Sequence, residues 1–255
     1  MRDIKIIVAA HKPYRMPSDG MYLPVQVGAS GKESIPGFMR DDTGDNISDK
    51  NPYYCELTGV YLAWKHVKAD YVGLAHYRRH FRGKGKGDAF SRILTAKEAD
   101  ALLDDCDVLL PRRRHYYIET NRSQYVHAHH PEGLEAAENV IKEKYPDYAE
   151  AFAHVMSRTS GHRFNMFIMR ADLFGSYCTW LFDVLGETEK RLDISGWSAS
   201  EQRIYGYIAE RLLDVWLERN RIKSKDIPYM FMEKQNWFKK IGGFLKRKFG
   251  RHSGH

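Results

Sequence analysis

Apolar positions along the chain alternate between two spacings, and these set the expected order of elements. Ile4–Ala10 (IKIIVAA) is a β-branched run suited to a strand buried on both faces, as in parallel sheets. His11-Lys12-Pro13 breaks it. A second strand is expected over residues 22–27, closed by Gly28. Residues 28–51 carry Gly, Ser, Asp and Asn throughout and read as one long loop, a length usually reserved for functional or mobile segments. Behind Pro52, the positions Leu57, Val60, Tyr61 and Trp64 recur at helical spacing, predicting a helix over 52–67. Residues 71–75 return to strand character, a short helix follows over 96–105, and DVLLP at 107–111 is strand again. The alternation favours an α/β fold with an open sheet.

The second half is mostly helical. Helices are expected over Pro131–Lys144, 147–156, 171–190 and 199–220, with a strand inside 164–174 ahead of the third of these. In the last 22 residues Trp237, Ile241, Phe244, Leu245 and Phe249 fall near helical spacing with Lys and Arg between them. That is the composition of an interfacial helix on anionic lipid, although Gly242-Gly243 weakens it.

Charge sharpens this division. The chain of 255 residues carries +7 from 40 Lys and Arg against 33 Asp and Glu. Lys234, Lys239, Lys240, Lys246, Arg247, Lys248 and Arg251 lie in the tail, which has no acidic residue, so the excess belongs wholly to 234–255. A neutral folded part argues against a nucleic-acid-binding domain. The organisation expected is one domain over 1–233 and a basic amphipathic tail over 234–255. Cys55, Cys106 and Cys178 are widely spaced and form no CxxC pair, which argues against a zinc or disulfide framework and for reduced thiols in a cytoplasmic protein. The first apolar run is too short for a signal peptide or a membrane span.

Candidate chemistry gathers at strand ends, where open α/β sheets bind ligands. His11-Lys12 follows the first strand, and His76-Tyr77-Arg78-Arg79-His80 follows the strand at 71–75. Guanidinium forks match phosphate oxygens, so an anionic ligand is expected there; the competing reading pairs Arg78 or Arg79 with a carboxylate of the 41–49 loop. That loop lacks the alternation and terminal Glu of a calcium-binding EF-hand. His127, His129 and His130 form a weak metal motif. No GxSxG elbow, Walker A loop or GxGxxG is present, leaving the common hydrolase, ATPase and dehydrogenase readings unsupported.

Five blocks carry a resemblance: DNISDKNPYYCELTGVYLAWKH, DYVGLAHYRRHF, RRRHYYIETNRSQYVHAHH, FNMFIMRADLFGSYCTWLFDVL and RIYGYIAERLLDVWLE. In order and spacing, over about residues 4–220, they resemble the DUF4422 family found among capsular and exopolysaccharide glycosyltransferases. The resemblance implies a GT-A-like nucleotide-binding sheet with a largely helical C-terminal half. It implies an enzyme moving a sugar (galactofuranose or galactose) from a UDP-sugar to a polyprenyl-linked glycan in capsule, exopolysaccharide or O-antigen synthesis, by inversion. The cell location implied is peripheral, on the inner face of the membrane, with the tail on anionic lipid. A non-catalytic sugar-nucleotide or glycan-binding module is the alternative.

Residue by residue, the resemblance places His11, Gln26, Val27 and Gly28 near the uridine. Asn46, Ser48, Asn51 and Glu56 would close the nucleotide pocket, and His129, Asn165 and Met166 would border the transferred sugar. Many GT-A enzymes end a central strand in Asp-x-Asp, which holds a divalent metal on the diphosphate. Here the comparable end is His76-Tyr77-Arg78, so Arg78 and Arg79, with His76, are expected to supply that charge. The metal, Mn or Mg, stays open. For the base that takes the acceptor proton, Asp193 in LDISGW is the first candidate and Glu210 the second. The bland reading of Glu210 is an ion pair with Arg203 or Arg211.

Overall fold

The computed structural model describes residues 1–233, so the expected amphipathic tail lies outside the described residues. In chain order come β1 (Ile4–Ala10), β2 (Tyr22–Gln26), β3 (Met39–Arg40), α1 (Asn51–Tyr54), α2 (Leu57–His66), β4 (Tyr71–His76) and β5 (Arg79–Phe81). Next are α3 (Ala96–Leu102), β6 (Val108–Pro111), β7 (Arg114–His115), α4 (Asn121–Ala128), α5 (Pro131–Lys144) and α6 (Ala149–Ser157). The chain continues through β8 (Ser160–Gly161), β9 (Phe167–Arg170), α7 (Ala171–Glu189), α8 (Ile204–Arg219), β10 (Ser224–Ile227) and β11 (Tyr229–Phe231).

The main sheet runs β10-β6-β9-β4-β1-β2-β3. Along this path β9 alone is reversed, pairing antiparallel with both β4 and β6. β1 is central because its alternate residues serve two cores. Ile7 and Ala9 join the helices α2, α5, α7 and α8 on one face, while Ile4, Ile6, Val8 and Ala10 pack with Leu94, Ala99 and Leu103 on the other. Gly73 in β4 permits the tight approach of β9, since a Cβ there would sit 2.7 Å from the Phe167 carbonyl oxygen. The register Ala9↔His76 brings the C-terminal ends of β1 and β4 out side by side.

One expected helix, 52–67, is two. Cys55 takes a left-handed φ of 56°, dividing α1 from α2. The Asn51 side-chain amide holds the break by donating to the Cys55 carbonyl (2.7 Å) and the Thr58 hydroxyl (3.1 Å). α8 passes close by at Gly206, where a Cβ would lie 3.2 Å from the Cys55 sulfur. The helix expected over 199–220 begins only at Ile204, after a series of turns. The loop expected over 28–51 holds β3, which pairs with β2, and α4 and the short strands β5, β7, β8, β10 and β11 have no counterpart among the expected elements.

Candidate active site

A cavity of about 580 Å³ opens where β1 and β4 end. Ala9 and His76 form its floor, and His11, Tyr77, Arg78 and Arg79 rise from the two strand ends. Val27 and Asn51 stand on one side, with Cys55 and Glu56 entering from the α1–α2 break. Arg203, Gly206, Tyr207 and Glu210 come from the start of α8, and Phe164 from the turn before β9. Strand ends thus supply His11, Arg78 and Arg79, while α2 and α8 bring the carboxylates Glu56 and Glu210 together with Arg203.

The cations are held by rings and burial. Arg79 lies 4.0 Å from the Phe164 ring centre and 5.4 Å from that of Phe231, and its Nε is buried without a hydrogen-bond partner. Burial pulls its pKa below the usual arginine value, opposed by Glu56 and Glu210. Arg78 donates through Nε to the Tyr77 hydroxyl (2.7 Å) and lies 3.9 Å from Glu233, not against the 41–49 loop. Arg203 donates to the Cys55 sulfur at 3.1 Å; burial pushes that thiol up to about 11, so it stays protonated. Burial, then Arg78 and neighbouring cations, hold His11 below its ordinary value.

A strained turn organises the opposite wall. Phe164 (φ 77°) and Asn165 (φ 54°) are consecutive left-handed residues, neither of them glycine, at a cost of about 1–3 kcal/mol each. The Phe164 amide donates to Glu210 Oε1 (2.9 Å), and its carbonyl oxygen lies 2.6 Å from His76 Nε2. Asn165 Nδ2 donates to Glu56 Oε1 (2.8 Å) and to the Gly206 carbonyl (3.2 Å), while its Oδ1 is buried and unpartnered. Two carboxylates and one imidazole are therefore fixed by one two-residue turn.

Of the residues singled out from sequence, His11, Val27, Asn51, Glu56, His76, Tyr77, Arg78, Arg79 and Glu210 line the cavity. Asn165 and His129 stand behind it, His129 with its ring 4.0 Å from that of Tyr207 and its pKa pulled down by burial to about 3. Met166 is wholly buried in the core. The Gln26 side chain is used by the loop, donating to the Glu33 carbonyl (2.8 Å) and accepting from the Ile35 amide (2.9 Å). Asn46 and Ser48 likewise bond within their loop. Asp193 is exposed, is not among the cavity walls, and accepts from the Ser195 amide at 3.0 Å. Glu210 does pair with Arg211, at 3.1 Å, while still facing the cavity.

Sequence reasoning missed Arg203, Tyr207 and Phe164, whose places depend on how α8 and the pre-β9 turn cross the sheet. It also missed Asp41 as a support. This carboxylate, fully buried, accepts from the Gly28 and Ala29 amides (2.7 and 2.9 Å) and the Ser48 and Thr58 hydroxyls (2.5 Å each). It ties the long loop to α2. Gly28, at φ 60°, is where the loop meets Asn51, since a Cβ there would lie 2.4 Å from Asn51 Oδ1.

The donor set does not match a divalent metal site of the Asp-x-Asp kind. His76-Tyr77-Arg78 occupies the strand end, and among the described residues no three His, Cys, Asp or Glu side chains converge on one point. The three histidines of 127–130 diverge: His127 to Glu119 (2.6 Å), His129 onto Tyr207, and His130 onto the Trp197 ring (4.0 Å).

A sheet whose strands run mostly one way, with β5 and β9 reversed, a helical second half and a charged cavity across the strand ends make this a mixed α/β fold of the open-sheet kind expected. The chain belongs to the DUF4422 family, described as a domain of unknown function, which matches residues 5–221. Its structure is similar to that of WbbM, a bifunctional glycosyltransferase in its apo form, with 30% sequence identity and a TM-score of 0.84. The match covers 91% of this chain but 46% of WbbM, so the chain spans about half the length of that protein. No curated protein matches the chain. Among the described residues no helix is long and apolar enough to cross a membrane.

Proposed function

We propose that this chain is a glycosyltransferase that moves a hexosyl unit, galactofuranose or galactose, from a UDP-sugar to a glycan acceptor. The observation that carries the reading is the gathering of Arg78, Arg79 and Arg203 with Glu56 and Glu210 around one cavity at the ends of β1 and β4. The likeness to WbbM supports the reaction class.

In this reading the arginines hold the diphosphate and stabilise the charge that grows on it as the sugar–phosphate bond breaks. They stand in place of a Mn or Mg ion, so none is needed. Glu56 is the base. Its Oε1 accepts from Asn165, and Oε2 has no hydrogen bond to a described residue, whereas both oxygens of Glu210 are engaged, by Phe164 and Arg211. The acceptor hydroxyl loses its proton to Glu56 and its oxygen bonds the anomeric carbon. UDP leaves with the electron pair of the broken bond, and the configuration inverts. The acceptor is a polyprenyl-linked glycan of capsule, exopolysaccharide or O-antigen synthesis, met at the inner membrane face with the help of the basic segment 234–255.

Calorimetric titration of UDP-sugars in EDTA and in manganese, followed by transfer and hydrolysis assays, tests this. Binding and turnover in EDTA are expected. Binding without turnover would leave a sugar-nucleotide-binding module, and activity restored only by manganese would remove the arginines' role.

A further inference from the structure

Away from the cavity, the segment between β7 and α4 turns its apolar side chains outward. Tyr117 is 86% exposed and Ile118 80%; among the described residues, the other large apolar side chains that stand out are the terminal Met1 and the marginal Met39. Tyr117 adopts a left-handed φ of 62°, a costly conformation for a tyrosine, and its nearest aromatic neighbour is His115 at 6.5 Å between ring centres. The turn is closed by one backbone hydrogen bond, from the Ile118 amide to the Tyr116 carbonyl (2.7 Å), and it leaves both side chains in solvent.

The ground beneath the tip is basic. Arg112, Arg114 and His115 are exposed and Arg113 is half-buried. The two nearest carboxylates are already engaged: Glu119 with His127 at 2.6 Å, and Asp226 with His162 at 2.9 Å and Arg113 at 3.8 Å. An aromatic and an aliphatic side chain standing on an arginine cluster match the interface of an anionic bilayer. There the ring and the isoleucine enter the headgroup boundary and the guanidinium groups meet phosphates. The tip is also coupled to the cavity. The Tyr116 hydroxyl accepts from Arg163 Nε at 2.6 Å, and Arg163 directly precedes the Phe164–Asn165 turn.

We infer that the Arg112–Ile118 tip is a membrane-docking element that seats the protein on anionic lipid with the cavity close to the surface. This stands on the tip's exposure and charge, independently of sugar transfer: a chain that docks without transferring sugar would retain it.

The test must separate the tip from the basic tail, so it uses the full chain and a probe at the tip. The three native cysteines are buried, so Tyr117→Cys can be labelled selectively with an environment-sensitive fluorophore. With vesicles of phosphatidylglycerol and phosphatidylcholine the label should shift to the blue and become shielded from iodide; with phosphatidylcholine alone it should not. In unlabelled protein, Tyr117→Ser with Ile118→Ser should lower partitioning onto anionic vesicles by about tenfold, with an unchanged melting temperature. A label that stays in water while the protein sediments with vesicles would overturn the inference, as would unaltered partitioning of the double variant. Concentration-dependent self-association through the tip, without vesicle binding, would make it a protein contact instead.

Discussion

Asn165 concentrates the backbone strain and the polar bonding of the site in one residue. Its left-handed conformation argues for glycine, while its amide argues for asparagine. Asn165→Gly should therefore keep near-native stability and lose transfer activity, whereas Asn165→Ala should lose both, with about 1 kcal/mol lower stability in urea than the glycine variant. Glu56→Gln keeps the shape and removes the proposed proton acceptor. Its kcat should fall by about 10²–10⁴ while UDP-sugar affinity, measured by calorimetry, is retained. Equal kcat would pass the role to Glu210. His80 makes a different point. It closes the basic run that drew notice in the sequence, yet it is fully buried with neither ring nitrogen bonded, and burial draws its pKa down to about 3. A depressed histidine favours the fold above its unfolded value of 6.5, and this contribution is lost as pH falls from there towards about 3. His80→Leu should accordingly weaken the acid sensitivity of the melting temperature between pH 6.5 and 4. An unchanged acid limb would show that the ring is protonated in the fold.

At the scale of elements, α8 is held to the sheet edge by one buried imidazole. His162, 1% exposed, lies with Nδ1 on Asp214 of α8 and Nε2 2.9 Å from Asp226 of β10, with Arg163 and Arg113 adjoining the carboxylates. Burial lowers the imidazole's pKa, but the hydrogen bonds to the two aspartates outweigh it and the net shift is upward; both aspartates are held below 3.8. The signs are opposite. The histidine's contribution is complete below pH 6.5 and fades as pH rises through its raised value. That of the aspartates is complete above pH 3.8 and fades on acidification. The melting-temperature gap between wild type and His162→Gln should thus be widest between pH 3.8 and 6.5 and shrink in alkali. A gap that grows with pH would mean a neutral ring. Pattern reading found β1, β2, β4, β6, β9, α5 and α7 because each carries a continuous or periodic apolar run. α4 escaped because its buried residues are only Asn121 and Tyr125, and it is set by a Thr120–Ser123 capping box. β10 (SKDI) is short and largely polar and β11 (YMF) is only three residues long; each is a strand because β6 or β5 offers it an edge.

Across the whole molecule, the strand-end position of the candidate cavity was legible, because buried strands running into His11 and His76-Tyr77-Arg78-Arg79 end at the edge where open α/β sheets form crevices. Its opposite wall was not. Cys55, Phe164 and Asn165 take left-handed conformations that no local preference announces, and Arg203, Tyr207 and Glu210 meet the sheet only through the crossing at Gly206. Asp193, by contrast, lies in a turn of the kind that often faces a cleft, but this turn faces solvent. The helix break at Cys55 has a further thermodynamic consequence. It draws walls from residues near 11, 56, 78 and 207 around one space, so whatever fills that space binds only when both halves of the chain are assembled. Occupancy is then linked to global folding: a donor at a hundred times its Kd adds about 2.7 kcal/mol to the unfolding free energy. Amide exchange in α1 and at the start of α8 should slow together, as one cooperative unit.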